Sequence, residues 1–363
     1  MKNTFGNSVS VSIFGESHGH SVGAVIDGIA PGIKIDYGYI NERLSQRRPW
    51  GKISTSRQET DEYKIISGVF NGYTTGTPLT VVVENKDTKS HDYSELKDTP
   101  RPSHADFTAE CKYHGFQDYR GGGHFSGRVT VALVIAGAIL SRALLDKGIR
   151  IGTHISRLHG ISDISFQDYV RDIETLANKE FPVLSPESEE KMTEEILKAR
   201  EMGDSVGGVL ESAIVGIPEG VGEPFFDSVE SVISHILFSV GGIKGVEFGD
   251  GFALAEMYGS EANDQFRIRD GKIETVTNHS GGINGGITNG MPIIVRSAVK
   301  PTPSIYKEQD SVSISRLENK KLVVSGRHDP AIIHRARAVV DAALAIAVAD
   351  TLCFRFGTDY LAK

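Results

Sequence analysis

The chain has 363 residues, of which 39% are hydrophobic and 24% charged, with a formal net charge of −8. That balance fits a globular enzyme and argues against a general nucleic-acid or membrane-surface binder, which needs a basic face. Cys111 and Cys353 are the only cysteines; without CxxC spacing they speak against a disulfide framework and a cysteine zinc site, so a reducing cytoplasm is the expected location.

The amino terminus, MKNTFGNSVSVSIFG, lacks the apolar stretch of a signal peptide. Within it, residues 8–13 alternate polar and apolar, the period of a half-buried strand, and lead into FGESHGHSVG at 14–23. VGAVIDG reads as the next strand. Asp36 is placed to cap a helix in which Ile40 and Leu44 lie one turn apart and which Pro49 ends. Strand-like IISGVF and PLTVVVEN flank the turn NGYTTGTP. Residues 126–147 form a helix that is apolar around most of its circumference and ends before Gly148. Residues 189–202 are heavily charged with Met192, Ile196 and Ala199 on one side, the pattern of a surface helix. The helix at 228–240 stops at Gly241 and Gly242. The last helix, 329–352, begins Asp-Pro, read as an N-cap followed by proline at the first helical position.

The later half of that helix, AALAIAVA, has no polar face and is too short to span a bilayer. Helices apolar all round must be buried on both sides, so core helices with sheet on two faces are expected. Glycine is abundant, 40 of 363 residues against an average of about 7%, and it clusters in GGGHFSG, SVGG, FGDG and HSGGINGGI. Such clusters mark tight turns and close backbone approach. No linker composition or short repeat interrupts the chain, and a single domain over 1–363 is expected.

Arg47, Arg48, Lys52 and Arg57 crowd the segment QRRPWGKISTSR. A last helical turn accounts for Arg47 and Arg48 through the helix dipole. Lys52 and Arg57 fall beyond Pro49, where the cluster has the make-up to hold an anion; both readings stand. In RPSHADFT, His104 lies two residues before Asp106, a pairing that serves either structure or catalysis. DYRGGGHFSGR is more telling. Its glycines precede Ser126 and a helix, leaving N–H groups that suit an anion, and Arg128 in the first turn opposes the dipole unless an anion is there. VKPTPS is stiff and extended. GRHDP sets Arg327 beside Asp329, which is either an N-cap or an acid at an anion site. His18, His20, His104, His114 and His124 have no metal-ligand spacing, and no metal is expected. GESHG lacks the G-x-S-x-G arrangement, and neighbouring Ser17 and His18 diverge if they lie on a strand, which weakens a Ser–His hydrolase.

In order along the chain, GESHG, RRP, RPSHAD, DYRGGG with SGR, GDSVGG, KGVEFGDGF, GGINGGI, KPTPS and GRHDP resemble chorismate synthase over about residues 5–350. The resemblance implies an α+β fold, a β-α-β sandwich with long buried helices between two antiparallel sheets, assembled as a homotetramer. It also implies the last step of the shikimate pathway in aromatic amino acid biosynthesis. There, phosphate leaves 5-enolpyruvylshikimate 3-phosphate by anti-1,4-elimination to give chorismate, with reduced FMN required and no net redox change. By the same resemblance His18 protonates reduced flavin, His104 protonates the departing phosphate, and Asp329 helps the flavin act as base. Ser17 and Ser126 share their pocket.

Flavin contacts implied by the family motifs are His124, Phe125 and Ser126, Gly241 and Gly242, Gly285, the run Lys300, Pro301, Thr302, Pro303 and Ser304, and Arg327. Substrate anions are expected at Arg47, Arg48, Arg57, Arg128 and Arg327. Some members reduce their own flavin with NADPH, and others take an external reductant; a short chain without large insertions points to the second kind. This chain reads GGGHFSGR where many relatives read GGGRSSAR, and Trp50 stands where a glycine often follows RRP. Ala331 and Asp341 also differ, at positions that look structural. Rival classes are a serine or metal hydrolase built on GESHGH and a phosphate-ligand binding module without turnover. Neither explains basic and glycine-rich motifs recurring through the whole chain.

Overall fold

Alternating burial near the amino terminus builds a sheet. The computed structural model describes residues 2–54, 60–86, 95–324 and 328–362. Strands β1 (Thr4–Phe5), β2 (Ser10–Gly15), β3 (Ser21–Asp27), β4 (Tyr63–Ser67) and β5 (Leu79–Glu84) pair antiparallel in the order β1-β2-β3-β5-β4. Val22, Ala24 and Ile26 of β3 lie opposite Val83, Val81 and Leu79 of β5, and all six are buried. A period of two therefore gives this sheet one fully apolar face.

The second sheet comprises β6 (Arg150–Leu158), β7 (Ile161–Ser162), β8 (Gly208–Val215), β9 (Ile243–Phe248) and β10 (Ile293–Val299). Its order is β9-β10-β8-β6-β7, again antiparallel throughout. The principal helices are α1 (Tyr37–Arg47), α2 (Asp106–Tyr113), α3 (Thr130–Asp146), α4 (Tyr169–Ala177), α5 (Pro186–Glu201), α6 (Val229–Leu237) and α7 (Ile333–Phe356). Helix α3 rests on β3 and β5, helix α7 rests on β6 and β8, and the two pack on each other. A Cβ on Gly137 would stand 2.4 Å from Ala342 Cα, so the two backbones touch where only glycine fits. By length and composition residues 127–146 would pass for a membrane span, but 72% of the most apolar window is buried, as in a core helix.

Local signals operate as the sequence leads one to expect. Asp36 accepts a hydrogen bond from Tyr39 N at 2.9 Å and starts α1, with Ile40 and Leu44 buried. Arg48 is extended before Pro49, the conformation that proline imposes on its predecessor. Ser228 caps α6 through Ser231 N at 3.1 Å. The last helix departs from expectation: it begins at Ile333, and Asp329 does not cap it. Pro330 O accepts from Val206 N at 2.8 Å, and Ala331 is fully buried. Residues 329–332 are committed to that contact, so the first turn starts later.

Helix α7 also holds buried polar groups that its overall pattern conceals. Arg337 donates to Leu176 O and Lys179 O at 3.1 and 2.7 Å, and Thr153 Oγ1 donates to Asp341 at 2.6 Å. Asp350 accepts from the N–H groups of Asn7, Ser8 and Val9 at 2.7–3.0 Å, closing the turn ahead of β2. These groups pin the apolar rod to its neighbours in one register.

Candidate active site

GESHG occupies the turn between β2 and β3. Asn85, just past β5, holds it: Nδ2 donates to Glu16 O and Gly19 O at 2.9 Å, and its backbone N donates to His20 O at 3.1 Å. Ser17 is fully buried and His18 is 7% exposed, while His20 faces solvent. The turn corrects the expectation that Ser17 and His18 diverge. A Cβ on Gly121 would lie 2.2 Å from His18 Cε1 and Nδ1 and 2.9 Å from Ser17 Oγ, so both side chains converge on one glycine.

The next glycine meets the second histidine. A Cβ on Gly122 would be 3.4 Å from His104 Cε1 and 3.5 Å from its Nε2. Both glycines take left-handed angles, φ 59° and 83°, which L side chains resist. Consecutive Cα atoms are only about 3.8 Å apart, so the two imidazoles pack against neighbouring residues of one turn.

His104 sits on a tight turn. Ser103 is left-handed at φ 57°, and His104 N donates to Arg101 O at 3.2 Å. Asp106 receives Arg101 Nε at 2.8 Å and lies 2.7 Å from His104 Nδ1. Burial alone would raise the Asp106 carboxyl, but hydrogen bonds from Arg101 and His104 outweigh it and hold the acid well below the usual carboxylate range. Lys300 Nζ donates to Ser103 O, which ties this turn to KPTPS. Burial, aided by nearby Lys244, lowers the Lys300 ammonium. Lys300 N reaches Gly242 O at 2.9 Å, and Ser205 Oγ reaches Thr302 O at 2.7 Å. RPSHAD, GDSVGG, Gly242 and KPTPS thus meet. Ser17 Oγ and Thr302 Oγ1 are buried with no hydrogen-bond partner among the described residues.

The arginines behave differently from the expectation that they await an external anion. Asp61, 3% exposed and left-handed at φ 51°, receives Arg47 Nη1 at 3.1 Å and Arg128 Nη1. Arg47 Nη2 also donates to Gly127 O at 2.9 Å, and Arg128 Nε to Asn85 Oδ1 at 2.9 Å. The anion that Arg128 demanded is therefore supplied within the chain. Arg48 is exposed and donates to Thr60 O at 2.7 Å, and Lys52 is also exposed. Arg57 and Arg327 lie outside the described residues.

Asp329 accepts from Arg335 Nη1 at 2.7 Å, and Arg335 Nε donates to Arg47 O at 2.9 Å. A short chain of contacts thus joins Asp329 to the arginine pair. Ser126 Oγ accepts from Arg128 N at 3.3 Å and so serves as the helix cap. His124 Nδ1 lies 2.8 Å from Gly15 O, and Phe125 is half-exposed with its ring edge against Tyr113. Gly285 is not brought to this pocket. Its loop packs near the start of β10, where a Cβ on Gly282 would be 2.5 Å from Pro292 O, whereas Lys300 follows the end of that strand. At about 3.4 Å per residue, β10 separates them by roughly 20 Å.

Asp61, Asn85 and Arg101 have supporting roles that sequence reasoning missed. Asp61 in RQETDEY carries no local signal and reads as a solvated acid. Among the described residues, no group of three or more His, Cys, Asp or Glu side chains is arranged to hold a metal ion. The pocket can bind anions at polar and cationic groups and move a proton at either histidine.

A sequence model of the family described as "Chorismate synthase" matches residues 9–353. Relatives named chorismate synthase include those of Thermococcus kodakarensis, 46% identical over 96% of this chain and 97% of its own length, and Pyrococcus abyssi, 47% identical with the same coverage. That of Methanosarcina barkeri is 43% identical over 96% of this chain and 95% of its own. A solved structure titled "Crystal Structure of Chorismate Synthase" superposes with a TM-score of 0.75 at 28% identity, covering 97% of this chain and 94% of that one.

Proposed function

The chain belongs to the chorismate synthase family, and from that premise we propose that it eliminates phosphate and a ring hydrogen from 5-enolpyruvylshikimate 3-phosphate to release chorismate. As a member it is a carbon–oxygen lyase of the shikimate pathway acting on a small molecule. The specific substrate, the requirement for reduced FMN and the role of each residue are our reading. The observation that supports it most directly is the convergence of His18 and His104 on adjacent glycines.

His104 acts as general acid. As the allylic C–O bond breaks, its bonding pair leaves with the phosphate, whose oxygen takes the Nε2 proton and leaves a neutral ring. Such a proton transfer is worth ~10²–10⁴-fold. His18 holds a proton on the opposite wall, with Ser17 beside it, and Asp329, anchored by Arg335, would help the bound flavin take up the ring hydrogen that leaves with the phosphate. Reduced FMN, when bound, supplies electron density that assists loss of the allylic phosphate and is not consumed. The residues present fit such a group: the Ser17 and Thr302 hydroxyls are buried without partners among the described residues, and glycines keep that wall free of side chains. His124, Phe125, Ser126, Gly241, Gly242, the segment 300–304 and Arg327 would hold it.

Substrate brings a phosphate and two carboxylates. Arg48, Arg57 and Arg327 meet these directly in this reading. Arg47 and Arg128 act from behind, each holding a guanidinium on the Asp61 carboxylate. The homotetramer of single-domain β-α-β sandwiches that the family resemblance implies is part of the proposal, and in it Gly285, a strand length away in its own chain, would meet a pocket across a subunit boundary. An external flavin reductant and a cytoplasmic location complete the proposal.

Anaerobic incubation with substrate and reduced FMN tests it. Phosphate and chorismate should appear together, and neither without reduced flavin. Phosphate release without flavin would mean a hydrolase, and binding without release a binding module. Turnover with NADPH as sole reductant would overturn the external-reductant part alone.

A further inference from the structure

Asp106 has no part in the roles assigned above, yet its carboxylate is fully engaged. Oδ2 accepts from Arg101 N at 2.9 Å and Arg101 Nε at 2.8 Å; Oδ1 accepts from Arg101 Nη2 at 2.8 Å and lies 2.7 Å from His104 Nδ1. An ionised carboxylate only accepts, so the contact with Nδ1 requires the proton to be there. Arg101 Nη2 also approaches Nδ1 at 3.1 Å, but a protonated Nδ1 cannot accept, so this approach is a contact and not a hydrogen bond. Nε2 is left for proton exchange. It makes no hydrogen bond among the described residues and faces Gly122. The turn beneath is held by the Lys300 bond to Ser103 O and by Arg101, itself 9% exposed.

We propose that Asp106 is a positioning residue for the elimination: anchored by Arg101, it fixes His104 as the Nδ1–H tautomer and turns Nε2 to the pocket. This rests on the reading that His104 protonates the departing phosphate. When Nε2 gives up its proton, the ring returns to the tautomer that Asp106 already holds, so no ring flip is needed between turnovers. Fixing a histidine by a carboxylate at its other nitrogen is a recurrent device for setting tautomer and orientation.

Two measurements decide it. In protein labelled with ¹⁵N-histidine, with His104 assigned through His104→Ala, long-range ¹H–¹⁵N spectra at high pH should show Nδ1–H in the wild type. Asp106→Asn should show Nε2–H or a mixture. Wild-type His104 as the Nε2–H form overturns the proposal even if Asp106→Asn does not fold. In anaerobic kinetics, Asp106→Asn should lower kcat about 10²-fold with KM changed less than about threefold. Asp106→Glu should recover part of the loss, and Asp106→Asn added to His104→Ala should cost nothing further. Additive losses in the double variant overturn the proposal. Full turnover by His104→Ala would instead remove the general-acid reading, while the spectra still judge what Asp106 does.

Discussion

Replacing Gly121 by alanine puts a methyl group where the fold has the His18 ring. The added carbon would stand 2.2 Å from His18 Cε1 and Nδ1, whereas carbons rest about 3.5–4.0 Å apart, so the imidazole must retreat by roughly 1.3 Å. The residue must also keep a left-handed φ of 59°, at about 1–2 kcal/mol for a side chain with Cβ. Overpacking adds about 1–3 kcal/mol, giving a total near 2–5 kcal/mol if the ring stays and less if it moves. Displacement by about 1 Å at a reacting group costs on the order of 10² in rate. Gly121→Ala is therefore expected to fold with a lowered Tm and to form chorismate about 10²-fold more slowly. Gly148→Ala is the control, because Gly148 is also left-handed at φ 79° but a Cβ added there would meet nothing within 4 Å. It should lose comparable strain energy and no activity. If Gly121→Ala turns over within threefold of the wild type, His18 does not work where this pocket holds it.

Gly137→Leu forces α3 away from Ala342 of α7 and should destabilise by at least ~2 kcal/mol in urea unfolding; a loss below ~0.5 kcal/mol would show that the helices do not touch there. Asp61→Asn removes the carboxylate that buried Arg47 and Arg128 share and should cost about 3–5 kcal/mol, and an unchanged Tm would refute the pairing. His154 and His334 titrate in opposite senses. Burial disfavours the His154 imidazolium, but hydrogen bonds to Asp163 and Glu211 outweigh it and raise its pKa. Its stabilisation is thus present below the unfolded value near ~6.5 and lost as pH rises through the folded one. Burial, reinforced by Arg335, pushes His334 down to about 3, so its contribution is present above ~6.5 and lost as pH falls. His154→Gln should destabilise most in mildly acidic buffer, with the gap narrowing toward pH ~9, and His334→Gln should flatten the acid limb. The same pH dependence in all three proteins would exclude both assignments.

Much was legible in the chain before its fold. Alternation at residues 8–13, the Asp36 and Ser228 caps, the stop at Pro49 and the all-apolar helices are local features, and local dihedral and burial preferences determine them. The same holds for the glycines of DYRGGG, because a run of left-handed positions admits nothing else. Nothing local tells Asp61 that it will face Arg47 and Arg128, since the partner of a buried charge is chosen by segments distant in sequence. Asp329 illustrates a related limit. Asp-Pro is a sound helix start on its own, yet Val206 takes the carbonyl of Pro330 and delays the helix. Ser17 and His18 would diverge on a strand, but Asn85, just past β5, gathers that stretch into a turn. Sequence by itself determined which residues carry charge, which positions need glycine and which faces must be buried. Tertiary structure decided which charges cancel and which histidines meet, because those outcomes depend on long-range packing that desolvates some pairs and leaves others apart.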